Sequence, residues 1–324
     1  MRSLARFMRG ALATALLLLC GCQPRTTVSL TFGGDILLAR DGQTLFSSPD
    51  QPWQNLIPEL QKRVESGSQH FFWVNLESPL TKQTVPVKAE GYQLCANAET
   101  LSVLEVGDVS LVNLANNHRF DCGTTAAETK MLVESAGIQT VGADLTPVSF
   151  DTDAGRVSVI AADEIVDAPA QADLLSAVKE ARAHCDILIV SLHWGSEFQS
   201  GVSVQQEALA QNLADAGVDV LWGTHPHVLQ KMEWVKTTEG QHTMLAMYSL
   251  GNLLADQWMM PATQRSALVT LRFAAGKIVG IDILPVQMDR VSNSLLPADE
   301  ENRQKILDDL QVKGLSQRGI VSSW

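Results

Sequence analysis

The stretch Asp-Ile-Leu-Ile-Val-Ser-Leu-His-Trp-Gly-Ser-Glu, residues 186–197, joins an apolar run directly to a cluster of polar side chains. The run predicts a buried β-strand over Asp186–Leu192. His193 and Glu197 follow where that strand ends. Open α/β sheets bind their ligands beyond the carboxyl ends of the strands, so this stretch predicts both a strand and a candidate site.

The same arrangement occurs four more times along the chain. The other clusters are Gly33-Gly34-Asp35, Asn75-Leu76-Glu77, Asn116-Asn117-His118 with Asp121, and His225-Pro226-His227. Their carboxylate, amide and imidazole groups are ligands of divalent metals. Because the carboxyl ends of parallel strands meet at one edge of a sheet, these scattered side chains can form one site.

Three of the clusters have an ordinary structural explanation when each is taken alone. Asp35 could cap a helix or form a turn at the end of its strand. Glu77 could begin a surface loop, and His193 could be a core histidine with satisfied hydrogen bonds. Their occurrence together, with Asn117 and further histidines at strand ends, favours a metal site.

The cluster around His118 carries the most specific chemistry, since it follows a fully apolar strand. Asn beside His recurs in two-metal phosphoesterase sites, where the amide oxygen of a residue such as Asn117 binds a metal. His118 can then give a proton to a leaving oxygen. Asp121, three residues on, can orient that imidazole by accepting its other N–H. The alternative is a turn capped by asparagines, with an exposed histidine.

Two histidines, His225 and His227, flank Pro226 after a later strand. In an extended segment, side chains at i and i+2 point the same way, which suits two adjacent metals or one chelate. The combined donors favour Mn, Fe or Zn over Ca or Mg. We therefore predict one or two divalent metal ions as cofactors.

Strands alternate with helices over most of the chain, which predicts βαβ units and a mostly parallel α/β sheet. The predicted strands are Thr27–Gly33, His70–Leu76, Val109–Ala115, Arg156–Ala162, Asp186–Leu192 and Val218–Trp222, and the predicted helices are Trp53–Ser66, Ala98–Val106, Thr124–Ala136, Gln171–His184 and Ser203–Ala216. Ser78–Ala96 is predicted to be a loop that covers the site.

The pattern changes after residue 240. Thr243–Ser249 is a further predicted strand, and Ala267–Ala274 and Lys277–Pro285 predict an antiparallel hairpin. Pro297–Val312 predicts a closing helix. We place one domain at residues 28–290, followed by a C-terminal helix and tail at 291–324.

The first 21 residues have the composition of a signal peptide, with three arginines before a short apolar run at Ala11–Leu19. The sequence Leu19-Cys20-Gly21-Cys22 resembles the bacterial lipobox, which implies cleavage before Cys22 and its lipidation. An ordinary secretory signal or a retained anchor is the alternative. Residues 22–27 would be a short tether. An Asp directly after the lipidated cysteine would favour the inner membrane, whereas Gln23 stands there and favours the outer membrane. We therefore expect a lipoprotein of the cell envelope, on the periplasmic or surface side of the outer membrane.

The rest of the chain is strongly acidic. Without the signal it has 21 basic and 36 acidic residues, a net charge of −15. This charge argues against a nucleic-acid partner, because such binding depends on neutralising phosphates. An anionic substrate would need a local metal or arginine to overcome the repulsion. Three cysteines remain after Cys22, so at most one disulfide forms among them.

The ordered set of clusters resembles the CapA family of bacterial capsule and poly-γ-glutamate synthesis proteins. The resemblance covers residues 28–285. It rests on Gly34-Asp35, Asn75-Leu76-Glu77-Ser78-Pro79, residues 115–123, His193 through Glu197, His225-Pro226-His227 and Tyr248 through Asn252.

The resemblance implies a fold similar to the calcineurin-like metallophosphoesterases, a parallel-rich β-sandwich flanked by helices. It also implies roles for the site residues. Asp35 and His227 would bind one metal, and Glu77 would bridge to a second. The second metal would be held by Asn117, His193 and His225. His118 would donate a proton, with Asp121 as its partner. Arg40, Glu197 and Asn252 are expected to bind the substrate.

Two positions depart from the phosphoesterase pattern. Leu37 stands where those enzymes have a metal-binding histidine, and Glu77 replaces an aspartate. Arg40 lies close enough in sequence to supply charge to the substrate or in place of a metal.

Two functions follow from this. The first is a metal-dependent hydrolase of a phosphoester or of an amide in an acidic polymer. The second is a non-catalytic accessory protein that binds or assembles a surface polymer. Either would be attached to the membrane by its lipid and would work with envelope polymer-synthesis proteins. The Leu37 substitution favours the accessory role, whereas His118 with Asp121 favours catalysis.

Overall fold

The computed structural model describes residues 27–46, 48–64, 67–85, 93–315 and 321–323. Its strands are β1 Val28–Ile36, β2 Gln69–Leu76, β3 Leu80–Thr81, β4 Ala96–Asn97, β5 Leu111–Asn113, β6 Gln139–Val141, β7 Val148–Thr152, β8 Gly155–Asp163, β9 Ile187–His193, β10 Val220–Thr224, β11 Met232–Lys236, β12 Thr243–Met247, β13 Asn252–Leu254, β14 Arg265–Ala274, β15 Lys277–Asp289, β16 Ser294–Pro297 and β17 Val321–Ser323.

The α-helices lie in the connections between these strands and near the C-terminus. They are α1 Gly42–Leu45, α2 Ile57–Gln61, α3 Ser102–Val106, α4 Ala126–Ser135, α5 Gln171–Arg182, α6 Val204–Asp215, α7 Glu300–Asp309 and α8 Val312–Leu315. Short 3₁₀ turns occupy Ala98–Leu101, Asp121–Gly123 and Pro261–Gln264. Within the described ranges, no helix has the length and apolar character needed to cross a bilayer.

A nine-stranded sheet contains both the parallel strands and the C-terminal hairpin. Its main path runs β16-β15-β14-β1-β2-β5-β6, with β13 beside β1 and β17 beside β15. The pairs from β1 to β6 are parallel, whereas β14 joins β1 antiparallel. The predicted hairpin, β14 with β15, is therefore confirmed as an extension of this sheet.

A second sheet of six strands has the order β11-β12-β10-β9-β8-β7. Its four central strands are parallel, and its two edge strands are antiparallel. An apolar core that includes Phe32, Trp73 and Trp222 lies between the two sheets. Two further apolar clusters cover the outer faces, one beneath α2, α3 and α4 and the other beneath α5 and α6. The predicted mostly parallel sandwich flanked by helices is thus confirmed.

Some element boundaries differ from the predictions. The helix predicted at Trp53–Ser66 begins only at Ile57, because Pro58 lacks an N–H and is tolerated only in the first turn of a helix, and it ends at Gln61. Eight strands in the described part of the chain were not predicted: β3, β4, β6, β7, β11, β13, β16 and β17. Two of them, β7 and β11, are half exposed, and the other six have at most four residues, so their apolar alternation is weak. β3 lies within the predicted loop Ser78–Ala96. β16 lies within the predicted tail and pairs with β15.

Close approach of two backbones places the end of β1. A Cβ atom on Gly34 would lie 1.8 Å from the carbonyl oxygen of Gly251. The N–H of Asp35 donates to that same oxygen at 2.9 Å. Only glycine at position 34 allows this contact, which fixes the backbone of Asp35 directly after it.

Candidate metal centre

Side chains from the carboxyl ends of both sheets converge between them. Asp35 and Glu77 come from the ends of β1 and β2, and His193 ends β9. His225 and His227 follow β10. All five are buried, although their side chains are charged or polar. Such residues are seldom fully buried without a partner, so this cluster points to a binding function.

One group of possible ligands consists of Asp35, Glu77 and His227, which we call the first triad. Nδ1 of His227 lies 3.4 Å from Oδ2 of Asp35, and its Nε2 lies 3.5 Å from Oε1 of Glu77. Asn75 holds Asp35 from behind by donating to its Oδ1 at 2.8 Å. The triad therefore offers two carboxylates and one imidazole.

A second triad consists of Glu77, His193 and His225. Nε2 of His193 lies 3.1 Å from Nδ1 of His225 and 3.9 Å from Oε1 of Glu77. The amide oxygen of Asn117 lies 2.8 Å from the same Nε2 atom. The structure thus brings the predicted second-metal residues together, and Glu77 is common to both triads.

Glu77 carries the strongest sign of a missing partner. Its side chain is fully buried, and neither carboxylate oxygen has a hydrogen-bond partner among the described residues. A buried carboxylate without hydrogen bonds is costly and calls for a cation. A divalent metal would satisfy both oxygens, so the residues present fit the metal that the sequence predicts.

The pKa values of the first triad are shifted by burial and by the charges of its own members. Burial raises the pKa of Glu77 to about 7, although the neighbouring His227 favours the ionised carboxylate. Burial disfavours a charged His227, but the carboxylates of Glu77 and Asp35 outweigh it and raise its pKa to about 10. In the metal-free chain, His227 therefore carries the proton that a cation would replace.

The second triad has neutral imidazoles. Burial lowers the pKa of His225 to about 4, and the charge of His227 adds to the effect. Burial and the two nearby imidazoles also hold the pKa of His193 well below its ordinary value. Neutral imidazole is the form that binds a metal, so these two histidines are ready to act as ligands.

His118 and Asp121 form a pair beside Glu77. Nδ1 of His118 lies 2.8 Å from Oδ2 of Asp121, and its Nε2 lies 3.8 Å from Oε1 of Glu77. The backbone N–H of Leu94 also donates to Oδ2 of Asp121, at 2.7 Å. Leu94 belongs to the segment that was predicted to cover the site. A disulfide joins the adjacent Cys95 to Cys122, which follows Asp121.

An open groove of about 970 Å³ leads to the centre from solvent. His118, Glu197 and His227 line it, and Leu94 also contributes to its wall. Another part of the wall is a segment that sequence reasoning missed, from Asp256 to Thr263, with Trp258, Met259 and Met260. No periodic pattern marks this segment, since it folds as irregular chain followed by one 3₁₀ turn.

The three residues predicted to bind substrate lie in different surroundings. Arg40 lines the groove, but Asp256 neutralises it in an ion pair. Glu197 is exposed in the groove. Asn252 is 2% exposed, and its amide oxygen lies 2.9 Å from Nδ1 of His227. In this arrangement Asn252 holds an imidazole of the first triad.

The expected extended conformation of the His-Pro-His segment is wrong. His225 has a φ of 95° and His227 a φ of 58°, both in the left-handed region. Residues other than glycine rarely adopt such angles, and those that do are concentrated at functional sites. In this turn, the imidazole of His225 joins the second triad and that of His227 joins the first.

Sequence reasoning also missed a buried ion pair behind the second triad. Arg119 contacts Asp163 and donates to Asp167 at 2.8 Å. Asp163 ends β8, just as Asp35 ends β1 and His193 ends β9. Its position after the predicted strand Arg156–Ala162 was therefore a signal that could have identified it.

Leu37 accounts for the reduced number of imidazoles in the first triad. Its side chain is 1% exposed and belongs to the apolar cluster on the outer face of the nine-stranded sheet. The backbone register shifts between Phe32 and Asp35 where β1 pairs with β2.

The lipidation site predicted at Cys22 lies outside the described residues.

Known proteins resemble this chain over most of its length. A family model described as bacterial capsule synthesis protein PGA_cap matches residues 29–257. The PGA biosynthesis protein CapA of Bacillus subtilis (strain 168) is 26% identical over 315 residues, which cover 87% of this chain and 77% of that protein. The capsule biosynthesis protein CapA of Bacillus anthracis is 27% identical over 295 residues, which cover 82% of this chain and 68% of that protein.

A solved structure shares the fold. The crystal structure of a novel phosphatase from Mycoplasma pneumoniae aligns with a TM-score of 0.53 and 12% sequence identity. The alignment covers 83% of this chain and 97% of that chain.

Proposed function

We propose that this chain, which belongs to the PGA_cap family of bacterial capsule synthesis proteins, is a metal-dependent hydrolase that acts in capsule or poly-γ-glutamate metabolism. The observation that carries the proposal is Glu77, a buried carboxylate shared by two triads, with both oxygens lacking hydrogen-bond partners among the described residues. A buried carboxylate with a purely structural role would normally accept hydrogen bonds.

Two divalent ions, Mn, Fe or Zn by the chemistry of the donors, would occupy the two triads. When bound, they would activate a water molecule and stabilise negative charge as the substrate is cleaved. Asp35 and His227 would hold one ion, with Glu77 shared between the two. His193, His225 and the amide oxygen of Asn117 would hold the other.

His118 would act as the proton donor for the leaving group. Its Nε2 atom lies beside Glu77 at the inner end of the groove, and Asp121 holds the opposite nitrogen. Burial disfavours the charged imidazole, but the hydrogen bond to Asp121 and the charge of Glu77 outweigh it, so the pKa of His118 lies above its ordinary value. A raised pKa keeps more of the imidazole protonated at a given pH, which favours general acid catalysis.

The proposed substrate is a phosphoester or an amide of an acidic polymer. The groove itself attracts such anions poorly. Asp256 neutralises the charge of Arg40. Asp41 and Glu197 add negative charge to the groove. Attraction would come from the bound metals. We further propose that a lipid on Cys22 keeps the protein at the cell envelope, near the proteins that synthesise the polymer.

A non-catalytic accessory role is the second candidate. It is favoured by the side chain of Leu37, which packs into the outer apolar cluster and leaves the first triad with one imidazole. A weakly held first metal would leave a site that binds a polymer without cleaving it.

Metal analysis followed by activity assays tests the proposal. The full-length chain, loaded with Mn²⁺, Fe²⁺ or Zn²⁺, should retain stoichiometric metal and hydrolyse a chromogenic phosphoester or poly-γ-glutamate. His118→Ala should keep the metal and lose activity. A metal-loaded chain that cleaves neither substrate supports the accessory role, and a chain that retains no metal overturns the hydrolase proposal.

A further inference from the structure

Glu197, His225 and His227 form a third group of possible metal ligands at the mouth of the centre. One ligand atom from each lies within 4.8 Å of the others. Glu197 is exposed in the groove, whereas His225 and His227 are buried and belong to the two inner triads. This mouth triad therefore connects solvent with both inner positions.

A backbone hydrogen bond holds the loops of the mouth triad together. The N–H of Phe198 donates to the carbonyl oxygen of Pro226 at 2.8 Å, and Phe198 has a φ of 61°. This bond joins the residue after Glu197 to the residue between the two histidines. Because non-glycine residues in the left-handed region are costly and tend to occur at functional sites, the contact is a built feature of the fold.

The inner triads need a route by which a hydrated cation can reach them. Asp35, Glu77 and His193 are fully buried, and His225 and His227 are 5% and 2% exposed. Of the six residues that make up the three triads, Glu197 alone is exposed. Among these six residues, a cation arriving from solvent therefore meets Glu197 first.

We propose that the mouth triad is an entry site for divalent cations, in which Glu197 captures the ion together with His225 and His227 before it moves inward. The two histidines are shared with the inner triads, so the ion exchanges ligands without leaving the centre. Glu197 is then a metal-transfer ligand and not a substrate contact. This inference rests on the proposed function, since it requires that the inner triads bind metal.

The matched control is Asp41, a second exposed carboxylate that lines the same groove but belongs to none of the triads. Both Glu197→Gln and Asp41→Asn remove one negative charge from the groove. A general effect of charge on cation attraction should thus be similar in the two variants, whereas loss of a ligand should appear only in Glu197→Gln.

The experiment mixes the metal-free full-length chain with Mn²⁺ in a stopped-flow instrument and follows tryptophan fluorescence, since Trp194 directly follows His193. Glu197→Gln should slow metal uptake by about ten-fold or more, and Asp41→Asn by less than about two-fold. The final metal content of both variants should equal that of the wild type. Glu197→Asp, which keeps a carboxylate, should recover part of the uptake rate.

Two results would overturn the inference. Glu197→Gln could take up Mn²⁺ at the wild-type rate, or it could be slowed no more than Asp41→Asn. In the first case, a raised KM for a substrate would make Glu197 a substrate contact. If the wild-type chain binds none of Mn²⁺, Fe²⁺ and Zn²⁺, the proposed function fails as well, so the two failures are distinguishable.

Discussion

Nδ1 of His118 lies 2.8 Å from Oδ2 of Asp121. This contact fixes the imidazole by one nitrogen and leaves the other near Glu77. It also raises the pKa of His118, against the effect of its burial. The pair therefore links the loop that follows β5 to the carboxylate shared by the two triads.

Replacing Asp121 by asparagine should lower kcat for hydrolysis by about 10–100-fold with little change in KM, because the amide holds the ring but supplies no charge. The pKa of His118 should fall. Since the proton donor works only while protonated, the alkaline limb of the kcat–pH profile should move to lower pH. An unchanged alkaline limb would show that Asp121 does not act through His118.

The shared position of Glu77 predicts a pattern of metal loss. Asp35→Ala and His193→Ala should each remove one equivalent of metal, because each removes a ligand from one triad only. Glu77→Ala should remove both equivalents. Metal content, measured by mass spectrometry after loading and desalting, tests this, with circular dichroism to confirm folding. A folded Glu77→Ala protein that keeps one full equivalent would rule out a shared ligand.

Metal affinity should rise with pH. Glu77, with a pKa of about 7, holds a proton at pH 5, and His227, with a pKa of about 10, still holds one at pH 8. A cation must displace both protons at low pH but only that of His227 near pH 8. Affinity should therefore fall steeply below pH 7. Calorimetry at pH 8 in buffers of different ionisation enthalpy should detect about one proton released at the first triad.

Strand-end positions were the part of the site that the sequence could predict. Asp35, Glu77 and His193 end or follow apolar runs, and a parallel sheet brings such ends to one edge. The sandwich and the C-terminal hairpin followed from the same alternation of strands and helices. These features depend on local apolar patterns, which a single sequence displays directly.

Features set by long-range contacts could not be predicted in this way. The left-handed turns at His225 and His227 depend on neighbouring loops, and neither residue is a glycine that would signal them. The wall that includes Trp258 has no periodic pattern. Glu197 illustrates the limit best, since its sequence position does not reveal that it lies within reach of two imidazoles from another loop.

The disulfide between Cys95 and Cys122 should stabilise the fold and the proton donor together. It closes a loop between residues 27 positions apart, so its removal should lower the free energy of unfolding by about 2–4 kcal/mol. Its two cysteines adjoin Leu94 and Asp121, whose backbone-to-carboxylate hydrogen bond should weaken. Urea unfolding of a Cys95→Ser/Cys122→Ser double variant tests the first effect, and kcat tests the second.

Cys185, which is outside the disulfide, provides the control. Cys185→Ser should leave kcat unchanged, and reductant should destabilise the Cys185→Ser protein as it does the wild type. If reductant changes neither the stability nor the activity of the wild type, the disulfide does not hold the Asp121 segment in place.

Gly34→Ala should disrupt the first triad while leaving the second sheet intact. The added Cβ would lie 1.8 Å from the carbonyl oxygen of Gly251, so β1 and the segment before β13 must separate. Overpacking against a rigid backbone costs about 1–3 kcal/mol or more, which urea unfolding can measure. The same shift breaks the bond between the N–H of Asp35 and Gly251, so the first triad should lose its metal.

The comparison that isolates this effect is Gly201→Ala. A Cβ on Gly201 meets no atom within 4 Å among the described residues. The free energy of unfolding of this variant should therefore match that of the wild type to within about 0.5 kcal/mol. Its metal content should equal that of the wild type within measurement error. Gly34→Ala with wild-type stability and two bound metals would mean that the contact with Gly251 does not position Asp35. Loss of one equivalent of metal from a folded Gly34→Ala protein would instead tie the metal centre to the backbone crossing at the end of β1.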